Sequence, residues 1–380
     1  MKIGIVGSGP AGLTAAISIK RKYKDSEVSV FEYMPKVGKK LLASGNGKGN
    51  VSNKNMSVDF YNTSFVKDII KMDVVGFLNS CGILTKEDKE GRIYPYTEQA
   101  QTVVECLKLE LYELGVKIIS EKVVGIGVNY LTTFFDSYYF DKIIIASGGK
   151  SQEFLGSDGS MFRAIEGLGH RVTKLRPALC PIKTKEDFSD IQGLRCKVIA
   201  KAYNGEEFYE DKGELLFKED GISGIIVFQI SSIFARSQFG YVTFDFFPDM
   251  SEDELVEVIK SLNQDRYVDL ALMGIINRKL LNHILGDTRG MFLKEFDPYN
   301  LAYKLKNYKV ECKSNYDFVQ AQITVGGVPT SEVKDTLESK IMPNIYFIGE
   351  VLDVDGLSGG YNIHFAIASA LWLAKNLWLK

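Results

Sequence analysis

Two glycine clusters, one at each end of the chain, carry the residue patterns that could do chemistry. Gly7-Ser8-Gly9-Pro10-Ala11-Gly12 sits between a β-branched run, Lys2 to Val6, and a stretch of helical period, Leu13 to Lys22. In that setting the first glycine allows a tight turn, the second lets a pyrophosphate approach the backbone, and the third permits close helix packing. The helix N-terminus then offers unpaired N–H groups to phosphate. Glu32 closes the next apolar run, Val28 to Phe31, twenty residues past Gly12. From there a carboxylate accepts hydrogen bonds from ribose hydroxyls and disfavours a 2′-phosphate, so the adenosine of FAD or NAD fits better than that of NADP. Near the other end, Gly349-Glu350-Val351-Leu352-Asp353 follows an apolar run, and Gly356 to Asn362 leads into a helical stretch. A nicotinamide dehydrogenase does not need a late second cluster, whereas a long cofactor whose flavin extends across the fold does. A helix beginning near Tyr361 would aim its positive end at the flavin N1 and C2 carbonyl, where negative charge collects on reduction. The expected cofactor is FAD.

Other side chains carry two readings each. Lys48 is a cation for the flavin N1 side or for a substrate carboxylate, or it is a solvated loop lysine. Asn46, Asn50 and Asn53 contact the flavin or bind their own backbone in turns; Asn46 reads as a cofactor contact and Asn53 as a turn residue. Tyr94 and Tyr96 flank Pro95 and suit stacking on a ring, or they simply pack like others of the 19 tyrosines. His364, in the first turn of the final helix, donates to the flavin and titrates near neutral pH, or is a packed, hydrogen-bonded histidine. The five cysteines form no CxxC pair and no zinc spacing, so neither a dithiol centre nor a metal site is expected. No Ser-His-Asp arrangement, HExxH or GxxxxGK[ST] is present. Hydride chemistry would belong to the flavin, with the protein supplying position and electrostatics.

These residues need elements to hold them. Strand, glycine turn, helix and strand at the start form a βαβ unit of a parallel sheet. Gly38 to Asn53, rich in Gly, Ser, Asn and Lys, reads as a loop. Thr97 is expected to cap a helix from Glu98 to Leu114, and Val116 to Val128 alternates like strands of a small sheet. Lys142 to Ala146 is a further strand, ended by Ser147, Gly148 and Gly149. Pro181 to Met250 reads as antiparallel β structure with an Asn204-Gly205 turn, and Ser251 with Glu254 opens a mostly helical stretch to Asn307. Val319 to Val325 and Asn344 to Ile348 read as strands, and Tyr361 to Leu379 as a helix. The fold class expected is α/β, with a discontinuous glutathione-reductase-like FAD domain (1–180 and 319–380). A β-rich substrate domain (181–250, to which 308–318 can be added) and a helical domain (251–307) are inserted in it.

A chain of 380 residues exceeds what one hydrophobic core usually supports. With 45% hydrophobic and 25% charged residues it is not a disordered chain. The net charge of -2 gives no bulk attraction to nucleic acid or anionic membrane, although a local patch stays open. The N-terminus lacks a basic region followed by an apolar stretch and a cleavage site, so a cytoplasmic protein without membrane or nucleic-acid partners is expected.

The motifs together resemble a known family. Lys39 to Lys48, Gly91-Arg92-Ile93-Tyr94-Pro95, Gly213 to Phe217 with Asp220 to Gly224, Gln322 to Val328, and Gly349 to Gly356 with Gly359 to Asn362 are similar to the three-domain BaiN-like flavoproteins. That family includes aminoacetone oxidases and NAD(P)/FAD-dependent oxidoreductases. The resemblance implies that Glu32 holds the adenine ribose and that Lys39 and Lys40 lie along the cofactor. It also implies backbone contacts to adenine from Val123 or Val124, with Asp353 near the ribityl and pyrophosphate part and Asn362 and Ile363 near the flavin. Ser44, Gly45, Ser147, Gly148, Gly349, Glu350, Gly360 and Tyr361 complete the expected cofactor set. The chain departs from the family where Gly47-Lys48-Gly49-Asn50 replaces Gly-Arg-Cys-Asn and where His364 replaces Gln.

The resulting expectation is an FAD enzyme that moves a hydride between N5 and a small organic substrate. A second nucleotide fingerprint is lacking, since Gly125-Ile126-Gly127 has no third glycine and lies within a strand pattern. The redox partner is therefore oxygen, as in an amine or aminoketone oxidase, or a transient NAD(P)H, as in a reductase of an enone. A tRNA-modifying flavoenzyme and a non-catalytic redox module are the remaining readings. Among catalytic candidates, Lys48, Tyr94 and His364 stand nearest the expected flavin.

Overall fold

The computed structural model describes residues 1–205 and 208–378. The chain forms two compact units, Met1–Pro177 with Phe318–Lys380, and Ala178–Asp317.

The first unit is built on a five-stranded sheet in the order Ile345–Phe347, Lys142–Ile145, Lys2–Val6, Glu27–Phe31, Lys117–Ile119. Every pair is parallel, with Ile3 beside Lys142 and Val28 and with Ile143 beside Ile345. Parallel strands covered on both faces read as continuous apolar runs, and Ile3, Ile5, Val30, Ile143, Ile144, Ile145 and Phe347 are buried. In chain order the sheet turns back between Lys2–Val6 and Lys142–Ile145. This is the switch point outside whose carboxyl ends a doubly wound sheet binds ligands. Both strands end there in glycine turns, Gly7 and Gly148-Gly149.

Two helices cover this point. The helix Pro10–Lys22 begins with Pro10, whose missing N–H is no loss in a first turn, and ends in Lys20, Arg21 and Lys22, which complement the negative end of the dipole. It packs against the final helix, Tyr361–Asn376. Leu379, the expected end of that final helix, lies outside the described residues.

Several local expectations need correction. Gly38 to Asn53 is not all loop: it contains a short helix, Lys39–Leu42, a tight turn, Ser44–Gly47, and a strand, Ser52–Asn53, paired with Arg92–Pro95. The helix expected from Glu98 under a Thr97 cap runs instead over Ala100–Glu113 with Gln99 at its N-cap. Glu98 has φ 50, outside helical geometry, and the Thr97 hydroxyl donates to Thr102 Oγ1 (2.9 Å). Val116 to Val128 divides between two sheets: Lys117–Ile119 joins the parallel sheet, and Val123–Ile126 starts an antiparallel meander with Tyr130–Thr133 and Ser137–Tyr139.

The second unit is a closed six-stranded antiparallel barrel of Ile182–Thr184, Gly221–Ser223, Phe208–Lys218, Arg195–Tyr203, Tyr241–Asp245 and Tyr308–Asn315. Closure removes exposed strand edges, and it requires the last strand, which the chain reaches only after the helical stretch. The uncharged run after Gly221 is a buried helix, Ile225–Arg236, within this unit. The helices Glu252–Ser261, Arg278–Leu285 and Pro298–Lys306 share one core with the barrel. Ser251 and Glu254 form the expected reciprocal cap on the first of them. Among the described residues no helix is long and apolar enough to cross a membrane.

Candidate FAD site

The turn after the first strand gives each glycine a separate task. Gly7 has φ +101, and a Cβ on it would lie 2.5 Å from the Ala146 carbonyl oxygen, so the two glycine turns touch through backbone. A Cβ on Gly12 would lie 2.0 Å from the Gly7 carbonyl oxygen, which makes this glycine the reason the helix can start so close to the strand. Nothing lies within 4 Å of the Cβ position of Gly9. That open space adjoins the helix N-terminus, where a pyrophosphate fits. Pro10 and Ala11 form the helix start, and a Cβ on Gly349 (φ +71) would press on Ala11 at 2.9 Å. The Gly349 N–H donates to Ser369 Oγ (3.0 Å) in the final helix. The early and late glycine clusters are thus adjacent.

Glu32 is held ready for a ligand. Its carboxylate accepts from the Met34 N–H (2.7 Å) and from the Ser8 hydroxyl. With Gly7, Val123, Ser147, Gly148, Lys122 and Asp158 it lines one cleft at the carboxyl edge of the sheet. Val123 is buried there, whereas Val124 is 42% exposed, so of the two expected adenine contacts only Val123 lines the cleft. Asp158 accepts from Lys122 Nζ (2.6 Å) and from the Ser160 N–H (2.9 Å); these bonds hold its carboxyl below the usual range despite its burial. The Ser157 hydroxyl is buried without a protein partner and stands 3.0 Å from where a Gly148 Cβ would sit. The open space at Gly9 beside the helix N-terminus and the pinned Glu32 carboxylate in this cleft fit a dinucleotide.

Lys39 and Lys40 point to different partners. Lys39 Nζ donates to the Phe154 carbonyl (2.6 Å), and Lys40 Nζ to Ser151 Oγ and Glu350 Oε2 (both 2.8 Å). Glu350 also accepts from the Thr324 N–H (2.9 Å), and its charge pair with Lys40 ties the late cluster to the Lys39–Leu42 helix. Asp353 accepts from Thr173 Oγ1 (2.8 Å).

The start of the final helix is built by backbone contact. A Cβ on Gly360 (φ +100) would fall 2.3 Å from the Ser52 carbonyl oxygen. Tyr361 is buried and its carbonyl accepts from the Tyr61 hydroxyl (2.8 Å). Asn362 folds back on the turn before it, accepting from the Gly356 N–H (2.9 Å) and donating to the Gly356 carbonyl (2.8 Å). Ile363 packs partly buried against the core. Asn50, with its amide oriented to satisfy both ends, donates to the Ile93 and Ser52 carbonyls and accepts from the Gly360 N–H. Asn53 donates to the Gly359 carbonyl (2.9 Å) and accepts from the Asn55 N–H (2.9 Å). The Ser44–Gly47 turn, with its Ser44 hydroxyl on the Leu41 carbonyl (2.6 Å), runs beside Tyr94: a Cβ on Gly45 would meet the ring at 3.3 Å. Asn46 is exposed at φ 55.

The three catalytic candidates separate. His364 is buried; Nδ1 pairs with Ser52 Oγ (2.8 Å) and Nε2 donates to the Ile70 carbonyl (2.9 Å). Burial lowers its pKa, so it stays neutral and does not titrate near pH 7. With both nitrogens occupied it is a packing residue. Lys48 is 58% exposed and pairs with Glu98 (3.1 Å), which Lys86 also holds (2.6 Å). Tyr94 is half-buried, and burial raises its pKa, with Asp88 and Glu90 adding and Arg92 and Lys48 opposing. It keeps its phenol proton at neutral pH.

Ser8, Ser157, Lys122 and Asp158 escaped the sequence reading. Ser8 lies inside the glycine motif at a variable position, and nothing in the residues around Ser157 marks it. Sequence reading also gave no Ser-His-acid line, yet Ser339 Oγ, His170 and Glu332 form one at 2.7 and 2.9 Å. Ser339 is buried and its oxygen also accepts from the N–H groups of Ile341 and Met342. It ties chain segments together. The cysteines are free; burial pushes the thiols of Cys180, Cys196 and Cys312 up to about 12, so they are inert. Among the described residues no cluster suited to a metal is found.

Residues 1–376 match the HI0933-like protein Rossmann domain. The chain belongs to this family. It is 34% identical to the 3-dehydro-bile acid delta(4,6)-reductase of Clostridium scindens, over 97% of each chain. It is 29% identical to the ribosomal RNA dihydrouridine synthase of Haemophilus influenzae, over 98% of this chain and 97% of that one. In fold it is similar to the 3-ketosteroid-delta4-(5alpha)-dehydrogenase of Rhodococcus jostii RHA1, with a TM-score of 0.50 and 13% identity, over 99% of this chain and 97% of that one. The family resemblance read from the motifs holds, and the chain is an FAD-dependent oxidoreductase.

Proposed function

We propose that this enzyme reduces a carbon–carbon double bond conjugated to a carbonyl group in a small organic substrate, with a nicotinamide that docks transiently as electron donor. The observation that carries the reading is the full-length relative named as a delta(4,6)-reductase. A dihydrouridine synthase adds two hydrogens to a ring double bond beside a carbonyl, which is the same class of change.

Bound FAD supplies hydride transfer at N5. The chain's own residues do the rest. The Gly7 to Gly12 turn would receive the phosphates, Glu32 the ribose hydroxyls, and the Val123 backbone the adenine. The final helix, opened by Gly360, Tyr361 and Asn362, would offer its positive end to the flavin. Tyr94, protonated at neutral pH, would hold the proton destined for the carbon next to the carbonyl.

Stopped-flow bleaching separates the readings. NADH or NADPH should bleach the flavin without oxygen, and a conjugated enone should restore its colour. Tyr94→Phe should slow recolouring about a hundredfold to ten-thousandfold, with bleaching by the nicotinamide unchanged. Bleaching by a small amine and recolouring only by oxygen would replace the proposal with an amine oxidase. Recolouring only by uridine-containing RNA would make the substrate a nucleic acid.

A further inference from the structure

The helical part of the second unit contains a pocket that the flavin chemistry does not use. It is lined by Tyr267, Asp269, Leu270, Arg278, Asn282 and Arg289. Arg278 and Asn282 are four residues apart on the helix Arg278–Leu285 and so share a face. Arg289 comes from the tight turn Gly286–Gly290 that follows, and Asp269 from the short helix Val268–Leu272. Tyr267, just before that helix, is held by a bridge to Phe292.

Three features converge on one kind of ligand. Asp269 is buried and accepts from Arg278 Nε (3.0 Å) and Nη2 (2.7 Å), which fixes the guanidinium plane and leaves its remaining N–H groups unspent. Arg289 is exposed and makes no ion pair or hydrogen bond among the described residues. Two guanidiniums against one carboxylate leave a net positive lining, which selects an anion. The Tyr267 ring is stacked on Phe292 (centroids 4.8 Å apart, planes at 17°) yet stays 46% exposed, a rigid platform for a flat group.

We propose that this pocket binds a nucleoside phosphate. Arg289 and the free edge of Arg278 take phosphate oxygens in the planar fork geometry that suits them. The base lies on the exposed ring of Tyr267. This assignment is independent of the double-bond reading, because none of its residues belongs to the flavin site.

The test is calorimetric titration of the full-length protein saturated with FAD, which keeps adenine nucleotides from the dinucleotide cleft. The probes are 5′-AMP, adenosine and inorganic phosphate. AMP should bind at least tenfold tighter than either fragment. Arg289→Ala, an exposed substitution that leaves the core intact, should weaken AMP tenfold to a hundredfold, as expected for losing charge-assisted hydrogen bonds. Tyr267→Ala should erase the preference for AMP over inorganic phosphate. AMP binding that survives Arg289→Ala, or phosphate binding as tightly as AMP in the unaltered protein, would overturn the proposal. So would loss of AMP binding on Glu32→Ala with FAD still saturating, since that would place the nucleotide in the cofactor cleft.

Discussion

Replacing Glu32 tests the cofactor site where its geometry is best defined. The carboxylate is pinned by the Met34 N–H and the Ser8 hydroxyl, so it does not have to be ordered when a ribose arrives. Glu32→Gln keeps a carbonyl oxygen for the Met34 N–H, and the Ser8 hydroxyl can rotate to accept from the new amide. One acceptor for a ribose hydroxyl survives, without its charge. Glu32→Ala leaves none, and also frees the Ser8 hydroxyl and the Met34 N–H. A hydrogen bond to a charged group is worth roughly 1.5 to 3 kcal/mol, about tenfold to a hundredfold in affinity. Glu32→Ala should therefore release FAD ten- to a hundredfold more readily, with Glu32→Gln between it and the unaltered protein. Recovery of flavin fluorescence on dilution measures the dissociation constant. Equal affinity in all three proteins would refute the reasoning, and a Gln variant as weak as the Ala variant would mean that the charge and not the acceptor matters.

Other consequences follow from neighbouring residues. Gly9→Ala should leave the melting temperature of the cofactor-free protein nearly unchanged and weaken FAD, because its side chain enters open space. Gly12→Ala should instead destabilise the fold by about 1–3 kcal/mol, since its Cβ meets the Gly7 carbonyl; thermal melts of both variants distinguish the two roles. For His364, burial lowers the folded pKa below the ordinary value of 6.5, so the unfolded chain binds the proton first. Its contribution is complete above about pH 6.5 and is lost as pH falls toward the lowered folded value. His364→Gln should flatten that acid limb of the melting temperature, and an unchanged limb would assign it to other groups. Exchange of Ala178–Asp317 for the matching unit of a relative of different activity should leave FAD bound and change which substrates recolour the flavin. A folded chimera with an unchanged profile would place specificity in the Ser44–Gly47 turn and around Tyr94.

How much of this could be read from the residues depends on whether the cause was local. The βαβ start was legible because strand, glycine turn, helix and acidic strand end follow one another within about thirty positions, each enforced by its neighbours. The Ser251 cap was legible for the same reason: its partner Glu254 is three residues away. His364 shows the limit. Its position on the first turn of the final helix was evident, but its two partners, Ser52 and the Ile70 carbonyl, are roughly three hundred positions earlier in the chain. Nothing local distinguishes a histidine that will find both from one left facing a flavin. Lys48 fails likewise, since its pairing with Glu98 depends on a residue in left-handed geometry that propensity assigned to a helix.

The same distinction explains why the site needs both ends of the chain. A parallel sheet cannot place two glycine turns side by side with a hairpin, because each crossover must return the chain to the same edge. The Gly7 turn and the Gly349 turn thus meet only after the intervening chain has folded. Their contact is short and unforgiving: Ala11 stands 2.9 Å from where a Gly349 side chain would begin, and Ser52 2.3 Å from a Gly360 side chain. Between those contacts the pair Lys40 to Glu350 adds a tie that is only partly exposed. A surface pair of this kind contributes little by itself, but here Glu350 also accepts from the Thr324 N–H, so removing Lys40 leaves a half-buried carboxylate still fixed in place. Lys40→Met should consequently cost little stability while placing an unbalanced negative charge beside the Gly148 turn, and weaken the doubly charged pyrophosphate of FAD more than it weakens the fold. A fall in melting temperature as large in the absence of FAD as in its presence would show that Lys40 serves the fold alone.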